Sequence, residues 1–360
     1  MRPSMIASPP TDALRAVRAA VRRAPAYPFT PLEAPVKLDQ NESGHDFPAA
    51  LKQLALERLA GLDWNRYPDM NADTLRARLA AYLGRSSDGL VVTTGSNVLI
   101  HALAQIAGIG ARVLTVQPAF SLYSLSAHLL ETALTQVPLE PDFGLPMDEL
   151  LRELSSGSGV LYLAEPHAPT GALHDPADLE RLIAAAQDWV VVIDEAYVEF
   201  SGRDHTRFLE HENVCIMRTF SKAWGLGGLR LGYLMASAEL AQNVQKILSP
   251  FNVSALHAAI AGVALEHPEY VQERVQETIL ERQRVFDALQ SHPTWTVYPS
   301  SANYHLIRTP DAGAAHRGLL ERGVLVRRQD SLRGLEGCIR VSVGTPEENT
   351  RFLTVAQELR

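Results

Sequence analysis

A lysine placed directly behind an apolar run, among small residues, is the feature of this chain most suited to chemistry. Arg218-Thr219-Phe220-Ser221-Lys222-Ala223-Trp224 follows Val214–Met217 and leads into Gly225-Leu226-Gly227-Gly228-Leu229-Arg230. An amine at that point enters a cleft. To attack a carbonyl and form a Schiff base it must shed its proton, which burial and nearby cations promote by lowering its pKa. Arg230 is such a cation, and Ser221 offers a hydroxyl for a phosphate. On its own a Ser-Lys pair reads more readily as a solvated loop.

Its companions change that reading. Val190-Val191-Val192-Ile193-Asp194-Glu195-Ala196-Tyr197 is a buried type of strand that ends in an aspartate, and open α/β sheets bind ligands at strand carboxyl ends. An isolated aspartate there is usually a helix cap. Beside a pyridoxal ring it has a chemical task, because a carboxylate next to the pyridine nitrogen keeps that nitrogen protonated and the ring an electron sink. Tyr197, three residues on, can donate its hydroxyl to the phenolic oxygen of the same ring. Thr94-Gly95-Ser96-Asn97 follows another apolar run and opens a helix expected to start near Val98, which places backbone N–H groups and a hydroxyl where a phosphate can be cradled.

The elements that carry these residues follow from periodicity. From about Phe47, helical patterns alternate with the short apolar runs 89–93, 112–116, 160–163, 189–193, 214–217 and 231–235, the mark of a mostly parallel, doubly wound sheet. After Pro250 a long charged helix over about 268–290 is followed by runs at 295–297, 304–307, 324–326 and 338–343, which suggests a smaller α+β unit. A helical stretch from Thr11 to Arg23 and a proline-rich segment from Pro25 to Pro35 precede both. The division expected is an arm over 1–45 packing on the small domain or a partner subunit, a large domain over 46–255 and a small domain over 256–360.

Composition excludes several classes. A formal net charge of −8 leaves no basic footprint for nucleic acid. No apolar run approaches the ~20 residues that cross a bilayer, and no signal-peptide core is visible, so a cytoplasmic protein is expected. The two cysteines, Cys215 and Cys338, lie far apart in apolar runs without metal-ligand spacing. They read as small core residues, and no metal is expected.

The ordered set formed by the Gly95-Ser96 turn, Pro118-Ala119-Phe120, Pro166–Gly171, Asp194, Lys222 and Arg230 resembles the fold type I pyridoxal-phosphate aminotransferases along nearly the whole chain. Within them it is most similar to the histidinol-phosphate aminotransferase family, through Leu38-Asp39-Gln40-Asn41-Glu42, Asn65-Arg66-Tyr67-Pro68-Asp69, Asp194-Glu195-Ala196-Tyr197, the Lys222 segment and Gly337-Cys338-Ile339-Arg340-Val341-Ser342-Val343-Gly344. The resemblance implies a PLP-dependent transferase fold, with pyridoxal 5'-phosphate held by Lys222, Asp194 against the pyridinium nitrogen and Tyr197 on the phenolic oxygen. It implies Ser96, Asn97, Ser221 and Arg230 around the phosphate, Phe120 stacked on the ring, and Tyr67 reaching the phosphate of a neighbouring subunit's cofactor in a homodimer. Tyr27, Asn303, Arg327 and Arg340 match substrate positions, for histidinol phosphate as amino donor and 2-oxoglutarate as acceptor.

Arg340 also stands out by itself, since a guanidinium among Cys338, Ile339, Val341 and Val343 needs an anionic partner. The family's usual Asn-Pro-Thr-Gly is here Ala168-Pro169-Thr170-Gly171, which removes a donor to the phenolic oxygen; His167 is the candidate replacement. The usual Gly-Ser-Asp-Glu is here Gly95-Ser96-Asn97-Val98, which leaves the backbone donors in place. An aromatic aminotransferase or a phosphothreonine decarboxylase shares the cofactor residues, and a cofactor-binding protein with little turnover is a reading that Ala168 raises.

Overall fold

The computed structural model describes residues 16–24, 31–107 and 110–359. In chain order its helices are α1 (Ala19–Arg23), α2 (Ala49–Ala60), α3 (Asp73–Leu83), α4 (Ser96–Ile106), α5 (Ser121–Leu130), α6 (Met147–Leu154), α7 (Pro176–Ala185), α8 (Ala238–Ile247), α9 (Ala255–Glu266), α10 (Glu269–Leu289), α11 (Ala312–Glu321) and α12 (Pro346–Glu358). Its strands are β1 (Val36–Leu38), β2 (Leu90–Thr93), β3 (Arg112–Gln117), β4 (Ala133–Pro138), β5 (Gly159–Ala164), β6 (Trp189–Asp194), β7 (Val214–Thr219), β8 (Gly232–Met235), β9 (Thr296–Val297), β10 (Tyr304–Arg308), β11 (Val324–Arg328) and β12 (Cys338–Ser342).

Seven strands form one sheet in the order β2-β8-β7-β6-β5-β3-β4, parallel throughout except for β8, which runs against both of its neighbours. Its centre is legible from residue type. Every residue of β5 is buried, as is all of β6 except Val190, and near-continuous apolar runs are what strands covered on both faces require. Two cores result. Leu114, Val116, Leu161, Ile193 and Ile216 face one side with helices α3, α6 and α7, while Val113, Val160, Val192, Cys215 and Met217 face the other with α4 and α5. Alternate residues of the same strands serve opposite cores, as period-two geometry dictates.

The second sheet has the order β1-β11-β12-β10-β9, with β1 parallel to β11 and the other pairs antiparallel. Ile307, Val326, Ile339, Val341 and Phe352 build its core under α11 and α12. Caps hold the helices at their starts: Asp175 accepts from Ala177 N ahead of Pro176 on α7, and Thr345 and Glu348 form a reciprocal capping box on α12.

The arm departs in part from its expected packing. Its strand β1 joins the smaller sheet, but α1 lies beside α5 of the large one, with Arg18 Nη1 3.8 Å from Glu131. This five-residue helix buries no residue of its own, so it follows whichever surface the chain passes. Of the helix expected from Thr11, residues 11–15 lie outside the described residues, as do Tyr27 and most of the proline-rich segment, while residues 16–18 are described and are not helical, α1 starting only at Ala19. The helix expected near Val98 begins two residues earlier at Ser96, since Gly95 at φ 88° makes the turn.

Candidate active site

The carboxyl ends of the parallel strands carry the reactive groups. Asp194 is the last residue of β6, and Lys222 stands three residues beyond the end of β7. Lys222 Nζ donates to the Gln40 carbonyl at 2.8 Å and stands 5.9 Å from the centroid of the Tyr197 ring. Burial, and then the positive charge of Arg340, push its ammonium down from an ordinary 10.5 to about 7; Arg230 and Lys37 add to this, and Glu42 opposes it. An amine so placed is substantially unprotonated at neutral pH, the state a carbonyl demands.

Asp194 is buried, and its Oδ2 accepts from the Tyr123 hydroxyl at 2.7 Å while Oδ1 accepts from Ala196 N at 3.2 Å. Burial pushes its carboxyl up to about 6 despite those two bonds. A carboxylate under that penalty gains from a cation laid against it. Tyr123 itself is locked by stacking on Tyr162, 4.7 Å between centroids and 8° from parallel. The next residue, Glu195, is fully buried between Arg218 Nε at 2.6 Å and His205 Nδ1 at 2.7 Å, so the turn after β6 is anchored from below.

The phosphate cradle is assembled by close backbone approach. A Cβ on Gly95 would stand 2.8 Å from Arg230 Nη2, and one on Gly232 would stand 2.4 Å from the backbone nitrogen of Ser96. Glycine at both positions lets β8 and the Arg230 guanidinium close on the start of α4, where the first N–H groups of the helix have no intrahelical partner. Arg230, itself at φ 52°, donates to Ser221 Oγ at 3.3 Å and to the Gly227 carbonyl at 3.0 Å. A cation, a hydroxyl, and a helix start converge there, with Asn97 exposed on the first turn. These residues fit a phosphorylated pyridine aldehyde: an amine, a buried carboxylate and an anion cradle.

The smaller sheet contributes a different chemistry. Arg340 pairs in register with Leu306 on one side and Arg327 on the other, putting two guanidinium-bearing residues on adjacent strands. Arg340 lies over the Tyr304 ring at 5.3 Å and donates from Nη2 to the Asp39 carbonyl at 3.1 Å. Its Nε is buried without a hydrogen-bond partner, and among the described residues no carboxylate stands within ion-pair distance of it. Asn303 is buried and donates to the Asn41 carbonyl at 3.1 Å, its Oδ1 left without a partner.

The structure thus brings Lys222, Asp194, Tyr197, Ser221, Ser96 and Arg230 to the large sheet's carboxyl edge, and sets Arg340 and Asn303 across from them, with Arg327 opposite Arg340 on the neighbouring strand. Phe120 stands at the start of α5, edge-on to Tyr123 at 5.9 Å. Tyr67 stands at the surface. It is 84% exposed, packed on Phe251 at 5.0 Å, and Trp64 and Met70 are exposed on the same stretch. His167 Nδ1 bonds Thr170 Oγ1 at 2.7 Å while its buried Nε2 has no hydrogen-bond partner among the described residues, and burial and then neighbouring His174 push its pKa down to about 3. Tyr123, Tyr304, Gln40 and Asn41 were not singled out by residue type. Gln40 and Asn41 stand in the Leu38–Glu42 stretch that carries the resemblance, and Tyr123 lies one helical turn from Phe120.

Residues 33–355 match the family model described as aminotransferase class I and II. A histidinol-phosphate aminotransferase of Deinococcus radiodurans is 51% identical, with 98% of this chain and 99% of that protein aligned. One from Methylibium petroleiphilum is 40% identical over 94% of this chain and 93% of its own length. Among solved structures, the histidinol-phosphate aminotransferase of Sinorhizobium meliloti in complex with pyridoxal-5'-phosphate superposes with a TM-score of 0.81 at 27% identity, covering 91% of this chain and 92% of that one.

Proposed function

Since this chain belongs to the aminotransferase class I and II family, we propose that it moves the amino group of L-histidinol phosphate to 2-oxoglutarate, giving imidazole acetol phosphate and L-glutamate in histidine biosynthesis. Its cofactor is pyridoxal 5'-phosphate. When bound, that group supplies the carbonyl that captures the substrate amine and a protonated ring that draws electrons from Cα. The work of the chain's own residues follows from their positions.

Lys222 would hold the cofactor, and its free amine would be the base that takes the substrate's Cα proton. Its pKa of about 7 suits both tasks at neutral pH. Asp194, kept anionic by Tyr123, holds the proton on the pyridine nitrogen. Tyr197 donates to the phenolic oxygen, and Phe120 covers the ring face. Ser96, Asn97, Ser221 and Arg230 bind the cofactor phosphate. Arg340 takes a carboxylate in one half-reaction and a phosphate in the other, with Arg327, Asn303 and Tyr27 completing the substrate site, because a guanidinium fork fits both anions.

The observation that carries this reading is the Arg340 guanidinium, half-buried, without a carboxylate, and close enough to Lys222 to depress its pKa. The names of the relatives support the phosphate ester as donor. The reading includes a homodimer, supported by the exposed Trp64, Tyr67, Met70 and Phe251, with Tyr67 reaching the neighbouring subunit's cofactor phosphate. It also places the enzyme in the cytoplasm; no described helix is long and apolar enough to cross a membrane.

Steady-state assays against histidinol phosphate, phenylalanine, tyrosine and phosphothreonine test the substrate. The expected result is the highest kcat/KM for histidinol phosphate, with glutamate formed from 2-oxoglutarate. A preference for either aromatic amino acid, or release of carbon dioxide from phosphothreonine, overturns the substrate and leaves only the family.

A further inference from the structure

Resting on the reading of Tyr197 above, we infer that Asn41 is a positioning residue that aims the Tyr197 hydroxyl at the cofactor and so makes up for the donor missing at Ala168. Asn41 is 1% exposed and sits at φ 53°, in the left-handed region that asparagine tolerates better than most residues. Its amide Nδ2 donates to the Tyr197 hydroxyl at 2.9 Å.

The direction of that bond follows from the rest of the network. Asn41 N donates to Ser342 Oγ at 2.8 Å, so the serine hydroxyl spends its own hydrogen on Asn41 Oδ1, 3.3 Å away. With Oδ1 engaged as an acceptor, Nδ2 is the end of the amide that faces Tyr197. The Asn41 carbonyl is held in turn by Asn303 Nδ2 at 3.1 Å. A turned amide would make Ser342 accept twice and would draw the Tyr197 hydrogen onto Asn41. In the observed arrangement Tyr197 receives an N–H from Asn41 and does not spend its own hydrogen on that amide.

A hydroxyl that accepts a hydrogen bond becomes a better donor, because each bond in a chain polarises the next. The ring of Tyr197 is also set, edge-on to Tyr304 at 5.2 Å and with Lys222 Nζ 5.9 Å from its centroid. Ala168, buried on the loop after β5, has no polar atom to offer. One strong donor thus serves where an asparagine and a tyrosine are usual.

The test is a spectrophotometric pH titration of the lysine-bound cofactor in the holoenzyme. A hydrogen bond into the phenolic oxygen stabilises its anion, which then holds the neighbouring nitrogen's proton less firmly; losing the bond raises the titration midpoint. Tyr197→Phe is expected to raise it by about one to two pH units. Asn41→Gly keeps the left-handed backbone and removes the amide, and should raise it by roughly half a unit to one unit. Asn41→Asp, which also tolerates that backbone, puts an acceptor against the Tyr197 hydroxyl; its added charge raises the midpoint in either background, so if the glycine variant fails to fold the test is the part of its shift that Tyr197→Phe removes. Asp194, Arg230, Arg340, Lys37 and Glu42, the other charged groups around the site, are unchanged in every comparison. In a Tyr197→Phe background, Asn41→Gly should add nothing. Asn41 variants that titrate like wild type, or that shift the midpoint equally without the Tyr197 hydroxyl, overturn the inference while the Tyr197 assignment stands. An unmoved midpoint in Tyr197→Phe removes Tyr197 from its proposed role, and the inference with it.

Discussion

The two sheets meet the same cleft with opposite preparation. On the large sheet the reactive groups already have protein partners: Asp194 has Tyr123 and Ala196, Arg230 has Ser221 and Gly227, and Lys222 has the Gln40 carbonyl. On the small sheet Arg340 has one carbonyl, an aromatic face and an Nε with nothing to donate to. A resident group is best served by side chains locked before it arrives, because their ordering then costs nothing on binding. A transient anion is best served by a guanidinium whose strongest partner is the anion itself, since a standing salt bridge would have to be broken in every turnover. The contrast is the one that a resident group on the first side and a transient anion on the second would call for.

Breaking the large-sheet side should have the largest effect. Lys222→Ala is expected to abolish the visible absorbance of the lysine-bound cofactor with the fold intact, since no other amine stands in its place; borohydride labelling of another lysine in the wild type would refute this. On the opposite side, Arg340→Ala should lower kcat/KM in both half-reactions by roughly ten- to a hundredfold, the loss of one charge-assisted pair. The same variant tests the link between the sides. Capture of pyridoxal phosphate by cofactor-free enzyme should rise with pH through about 7, as Lys222 sheds its proton. Removing the Arg340 charge, the largest cause after burial, raises the Lys222 pKa, so the profile must move to higher pH. A fixed profile would mean that the two sides are electrostatically independent.

Arg327→Ala sharpens the substrate side. It should raise KM for histidinol phosphate by about tenfold, near 1.4 kcal/mol, with less effect on 2-oxoglutarate. Unchanged kinetics toward histidinol phosphate remove Arg327 from the site. The smallest effect belongs to Ala168→Asn. Restoring a donor to the phenolic oxygen should lower the titration midpoint of the bound cofactor by on the order of half a pH unit and tighten its binding a few-fold. If neither quantity moves, another donor already fills that place.

Residue type and local order alone determined the alternation of strands and helices, the aspartate at the end of β6, the lysine behind β7 and the arginine within β12. These are legible because a strand buried on both faces must be apolar, so a charged residue at its end or inside it is conspicuous. The helix starting at Ser96 was expected near Val98, since a glycine turn hides where helical hydrogen bonding begins. What only the tertiary structure decided are partnerships between distant segments: Tyr123 with Asp194, separated by 71 positions, Asn41 with Tyr197, by 156, and Asn41 with Ser342, by 301. Asn41 stands in the Leu38–Glu42 stretch that carries the family resemblance, but nothing in that stretch shows what its amide would bond. Its role arises because β1 lies along the smaller sheet and the segment after it passes between that sheet and the end of β6, which brings one amide within reach of both. The placement of Lys222 in the field of Arg340, 118 positions further on, is of the same kind: the amine's identity is local, but its pKa belongs to the folded chain.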